Sequence, residues 1–323
     1  MAHAARKPVP AKSRHKAQAE RRDHYQELTN SIVAALEDGR KPWVRPWNPD
    51  LAGGPCMPVN AVTGRRYHGV NVLVLAIAAF ARGGDPRWCT YRQAAERGWQ
   101  VRGGETATTV FFFKKLTVID NDKPQTPEGD DATRTIPLLR AYSVFNASQI
   151  DGIPAYVLPT VADCSWLRPD AANLILRNSG ATFVEGGERA FYSPGGDFVQ
   201  MPPTAAFPTA GGWAATLLHE LGHWTGHNTR LDRDLQNRFG SGGYAQEELR
   251  AELASVFMGA ELGLPCEIAN HANYIGGWIE KLRQDKREIF RAASDAQRIS
   301  DYLLAFHPDF AAAVAAEQPV TEE

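Results

Sequence analysis

The chain of 323 residues has only four cysteines, Cys56, Cys89, Cys164 and Cys266, and no two of them stand in a Cys-x-x-Cys pair. That excludes a thiolate zinc finger and leaves no framework for disulfides, which suits a reducing cytoplasm. No apolar run reaches the eighteen residues a membrane helix requires; the stretch 70–81 is too short and includes Asn71. The basic start, 1–22, is followed by no apolar segment, so it reads as a disordered basic arm and not as a secretory signal. A cytoplasmic protein with no membrane contact is expected.

What remains is the composition of a folding chain, with 43% hydrophobic and 22% charged residues. Its length is about twice that of a usual domain, so two domains are expected. Net charge is −2, unevenly spread: residues 40–105 carry +6 and residues 106–323 carry −10.

Apolar periodicity predicts helices over 22–37, 70–81, 91–97, 171–179, 213–226, 245–262, 270–282 and 285–306. Runs rich in Thr, Val and Phe at 106–119 and 135–145 read as two antiparallel strands joined by an acidic loop, 120–131. Shorter strands at 182–185, 190–193 and 197–201 form a second, small sheet. The pattern breaks into Gly and Pro over 152–169, which places an α+β N-terminal domain at 23–155 and a second domain at 165–310.

The chemistry is concentrated in His219-Glu220-Leu221-Gly222-His223. Residues four apart on a helix share a face, so both histidines can address one zinc ion, with Glu220 beside them as a general base. A catalytic zinc takes a third protein ligand and keeps one position open. Glu248 and Glu252, four apart on the next helix, offer it. By analogy with zincins whose third ligand is a glutamate, Glu248 binds and Glu252 supports from behind or serves as the alternative ligand. His227 stays outside this set, and Tyr244, His271 and Tyr274 are candidate donors to a developing oxyanion. A zinc that only holds the domain together is the competing reading.

In the basic front half, arginines alternate with aromatics: Trp43, Arg45, Trp47, Arg65, Arg66, Tyr67, Trp88, Tyr91 and Arg102. Guanidinium groups neutralise phosphates and flat rings stack on unpaired bases, so the mixture suits single-stranded DNA. A solvated basic face above a Trp-containing core has the same composition.

These residues resemble the ArdC-type antirestriction proteins of conjugative plasmids, whose N-terminal domain is shared with plasmid transfer primases. The resemblance runs through Gly39-Arg40-Lys41-Pro42-Trp43, Gly64-Arg65-Arg66-Tyr67-His68-Gly69-Val70-Asn71 and Trp88-Cys89-Thr90-Tyr91. In the back half it includes Tyr192-Ser193-Pro194, Met201-Pro202, His219 to His227, and Glu247 to Glu252. It implies a single-stranded DNA-binding domain, a zincin-like metallopeptidase domain acting on an unknown protein substrate, and protection of entering plasmid DNA from restriction. The alternative is a DNA-binding module with a purely structural zinc and no proteolysis.

Overall fold

The computed structural model describes residues 22–39, 41–43, 57–80, 82, 84–119, 133–156, 168–235, 241–264 and 274–317. The expected basic arm (apart from Arg22), the acidic loop and most of the break at 152–169 lie outside the described residues, as do Cys56, Cys164 and Cys266.

The front half is built on a four-stranded sheet. The two long strands, β4 (Thr108–Ile119) and β5 (Thr133–Asn146), form one antiparallel ladder from Thr108↔Val144 to Ile119↔Thr133, as their β-rich composition predicted. β5 also pairs antiparallel with β2 (Arg87–Cys89), and β2 pairs in parallel with β1 (Val59–Asn60). A separate two-stranded pair joins β3 (Gln100–Val101) to β6 (Ile150–Asp151). The helix α2 (Val70–Phe80) lies on β4 with Val72, Leu73 and Leu75 buried. Its one polar residue, Asn71, is buried too, and it clamps the strand. Its Nδ2 donates to Phe111 O at 2.7 Å and its Oδ1 accepts from Phe111 N at 2.7 Å, so the buried amide is satisfied on both sides. The short helix α3 (Tyr91–Glu96) opens on a capping box made by Thr90 and Gln93.

The helix α1 (His24–Glu37) buries the stripe Ile32, Val33 and Leu36 that its periodicity predicted. Its cover comes from the far end of the chain: it packs on α7 (Ile275–Gln284) and reaches α8 (Glu288–Leu304). The rings of Tyr25 and Phe290 stand 4.6 Å apart, and Thr29 Oγ1 donates to Lys286 O at 2.8 Å. Ile32, Leu36, Leu73 and Phe111 belong to the same buried cluster as Leu217, Phe257 and Ile299. The front and back halves therefore share one hydrophobic core.

In the back half, β9 (Phe198–Met201) is flanked by β7 (Thr182–Glu185) in parallel and β8 (Phe191–Ser193) antiparallel. The turn between β8 and β9 holds Asp197 at φ 48, where its carboxylate accepts from Tyr192 Oη at 2.8 Å and pairs with Arg230. Helix α4 (Arg168–Ser179) packs on α5 (Ala210–Trp224), and α5 lies against α6 (Gly242–Leu262), which α8 covers in turn. A last helix, α9 (Pro308–Glu317), follows. Both central helices are capped by hydroxyls: Thr209 Oγ1 accepts from Gly212 N, and Ser241 Oγ from Tyr244 N. α6 ends at Gly263, whose φ of 66 is left-handed and favours glycine. No helix among the described residues is long and apolar enough to cross a membrane.

Candidate metal centre

α5 and α6 face each other across the core, which brings His219 and His223 opposite Glu248. The two histidine Nε2 atoms are 3.2 Å apart. Glu248 lies 3.5 Å from His219 Nε2 and 3.6 Å from His223 Nε2 through its two oxygens. One donor atom from each residue falls within 4.8 Å of the others. The set, two imidazoles and one carboxylate, is the donor chemistry zinc accepts.

The tautomer of His223 is set from behind. Its Nδ1 lies 3.2 Å from Glu247 Oε1, so a proton on Nδ1 donates to that carboxylate and leaves Nε2 with a lone pair facing the centre. Glu247 is itself held by Arg233, whose Nη2 and Nε donate at 2.8 and 3.1 Å. The same guanidinium donates to Gly222 O at 2.7 Å and Thr225 Oγ1 at 2.8 Å, tying the end of α5. Gly226 leaves room for it: a Cβ there would stand 2.9 Å from Arg233 Nη2.

Electrostatics follow from this packing. Burial opposes charge on the His223 imidazole, but Glu247, Glu248 and Glu220 outweigh it and raise its pKa. Burial likewise works against the Glu248 carboxylate, yet His219, His223 and Tyr244 hold it below the usual carboxylate range. The Nε2 atoms of both histidines and the Glu248 anion converge on one point, an arrangement that a cation between them, either a proton or a metal ion, would satisfy. The residues therefore fit a divalent metal.

A cleft of about 840 Å³ opens beside the centre, with Glu220, Tyr244, Tyr274 and Phe191 of β8 in its wall. Tyr244 Oη and Tyr274 Oη are 3.2 Å apart, and burial together with Glu248 raises the Tyr244 phenol well above its ordinary range. His227 turns to Thr229 Oγ1 at 2.9 Å and is no part of the cluster, and His271 lies outside the described residues.

Glu252 is not behind the histidines, which corrects the expectation that it supports or replaces Glu248. Four residues add about 6 Å along a helix. That carries Glu252 to a fully buried position where Lys41 Nζ, at 2.9 Å, and Trp43 Nε1, at 3.4 Å, donate to it. The supporting carboxylate is Glu247, and its partner Arg233 stood in no motif.

The expected DNA contacts divide. Trp43, Tyr67 and Trp88 are buried and offer no face to a base: Tyr67 and Trp88 pack with Leu75, Val110 and Val144 between the front sheet and its helix, and Trp43 packs against Trp278. These three expectations are corrected. Arg66 pairs with Glu261 at 3.0 Å, and Arg102 with Asp151 and Glu105 at 3.2 and 3.1 Å. Arg65 and Tyr91 are exposed. Arg45 and Trp47 lie outside the described residues.

Comparison with known proteins agrees with both halves. The N-terminal domain of anti-restriction factor ArdC matches residues 22–145, and the zincin-like metallopeptidase family matches residues 170–295. The chain is 43% identical over 293 residues to DNA primase TraC of Escherichia coli, a match covering 87% of this chain but 27% of the primase. A second primase of that name is spanned over only 20% of its length. Protein y4eC of Sinorhizobium fredii is 40% identical over 294 residues, covering 89% of this chain and 93% of that protein. The antirestriction ArdC protein of plasmid R388 superposes in its metal-free form with a TM-score of 0.72 at 38% identity, covering 92% of this chain and 100% of that one. Its Mn(II)-bound form gives 0.71 at 39% identity, covering 90% and 100%.

Proposed function

Since the chain belongs to the ArdC family of antirestriction proteins and carries a metal-binding zincin-like domain, we propose that it protects entering plasmid DNA in the cytoplasm during conjugation. In this reading it binds single-stranded DNA through its front half and brings a zinc metallopeptidase to it.

The proposed ligands are His219, His223 and Glu248, with Glu220 as general base. One observation favours catalysis over a structural zinc. Three protein donors converge and the remaining side of the cluster is the wall of a cleft, whereas a structural zinc is closed by four protein ligands. Bound there, the ion would supply Lewis-acid polarisation of a carbonyl and acidify water.

The chain's own residues account for the rest. Glu220, in the cleft wall beside the histidines, takes a proton from the attacking water and returns it to the departing amine. In this reading the Tyr244 and Tyr274 hydroxyls, 3.2 Å apart and both in residues lining the cleft, donate to the oxygen that gains charge. β8 is one of the two outer strands of its sheet among the described residues and lines the cleft, so an extended peptide can pair along it. The substrate is then a peptide bond of a protein met during DNA transfer.

The test is Glu220→Gln, assayed for bound zinc and for cleavage of fluorescent casein. Zinc retained with cleavage abolished supports the reading; cleavage equal to that of the unmodified protein overturns it.

A further inference from the structure

The aromatic residues singled out in the sequence are largely buried, but other aromatics are not. Phe112 is 47% exposed, Phe113 54%, Tyr142 43% and Leu116 36%, and all four lie on the ribbon formed by β4 and β5. Large apolar side chains clustered in water mark a binding surface more often than chance placement.

The register sorts them by face. Phe112 stands directly opposite Arg140, and Val110 opposite Tyr142, so Phe112, Leu116, Arg140 and Tyr142 share one face. The rings of Phe112 and Tyr142 meet edge to face, with centroids 5.4 Å apart. Arg140 is exposed beside them. Phe113 belongs to the opposite face. Within the two strands themselves the formal charges have one sign, Lys114, Lys115, Arg134 and Arg140 with no Asp or Glu, while the acidic segment 120–131 joins their far ends.

We propose that the ribbon face centred on Phe112, Arg140 and Tyr142 is where the chain holds single-stranded DNA. This rests on the DNA-binding reading above and gives it a place. Exposed rings supply stacking platforms for unpaired bases, and Arg140 supplies a cation for the phosphates between them. At this end of the ribbon, away from the acidic segment, the cation Arg140 stands on the face beside two rings, which favours the phosphates and bases of a single strand. Side chains on one face of a strand recur about every 6.6–6.8 Å, so an extended single strand can lie along the ribbon. A duplex cannot, because its base faces are already stacked inside it.

The experiment uses the full chain and a fluorescein-labelled oligothymidine followed by anisotropy. The variants are Phe112→Ala/Tyr142→Ala and, separately, Arg140→Gln; zinc content and melting temperature are measured alongside. The double variant is expected to bind roughly ten- to a hundredfold more weakly, with zinc and melting unchanged. Arg140→Gln is expected to reduce the slope of log affinity against log salt by about one. Wild-type binding that survives within twofold in the double variant overturns this location and leaves the DNA-binding reading standing. No binding by the wild type overturns both. A wild type that self-associates, with a double variant that is monomeric and binds DNA unchanged, makes the ribbon a contact between copies and also overturns the proposal.

Discussion

Lys41 Nζ lies 2.9 Å from Glu252 Oε1, so a cation of the front half neutralises a fully buried carboxylate on the helix that also carries Glu248. Trp43, two residues on, adds its indole N–H to the same oxygen and packs 5.9 Å from the Trp278 ring. The front half thus reaches the back of the metal helix directly.

Removing one partner of a buried pair leaves an uncompensated charge. Lys41→Met is expected to lower unfolding free energy by about 3–5 kcal/mol. Adding Glu252→Met should restore most of it, since a buried pair replaced by apolar groups of similar size is often neutral. Chemical denaturation of both variants checks this. A double variant no more stable than Lys41→Met would show that Glu252 has another essential role.

Arg233 and Glu247 fix the His223 ring. Glu247→Gln is expected to weaken zinc binding about 10–100-fold without changing the fold, the usual cost of removing a partner of a metal-bound histidine. Arg233→Ala should act in the same direction, because Glu247 loses its cation and the end of α5 its tie. Competition with a chromophoric chelator measures both.

Metal uptake should depend on pH. In the metal-free chain His223 is pushed up to about 9, against an unfolded value of about 6.5, and a ligand must be neutral. Zinc affinity should therefore fall as pH drops below about 9, with a proton released on binding. The stability of the metal-free chain runs the other way. The contribution of protonated His223 is fully present below about 6.5 and is lost as pH rises through about 9. Calorimetry in buffers of different ionisation enthalpy counts the proton, and melting curves of the metal-free chain check the second trend.

Much of this was legible in sequence where local pattern carries the information. The His219/His223 spacing fixed a shared helical face, and the β-rich runs of β4 and β5 gave their pairing. The two- and three-residue strands at Val59, Arg87, Gln100 and Ile150 were not legible, since pairing partners alone make them strands. Composition named Trp43, Tyr67 and Trp88 as aromatic but not which way they face. Equal helical spacing made Glu252 resemble a supporting carboxylate, and only the crossing of α5 over α6 shows Glu247 in that place. Arg233 carried no signal, because its role depends on a loop returning to the end of α5.

The most direct measurement is the zinc content and affinity of the wild type beside Glu248→Gln and Lys41→Met/Glu252→Met. One zinc per chain in the wild type, lost in Glu248→Gln and kept in the double variant, is the predicted result. Zinc retained without Glu248, or lost with Glu252, would contradict the centre described here.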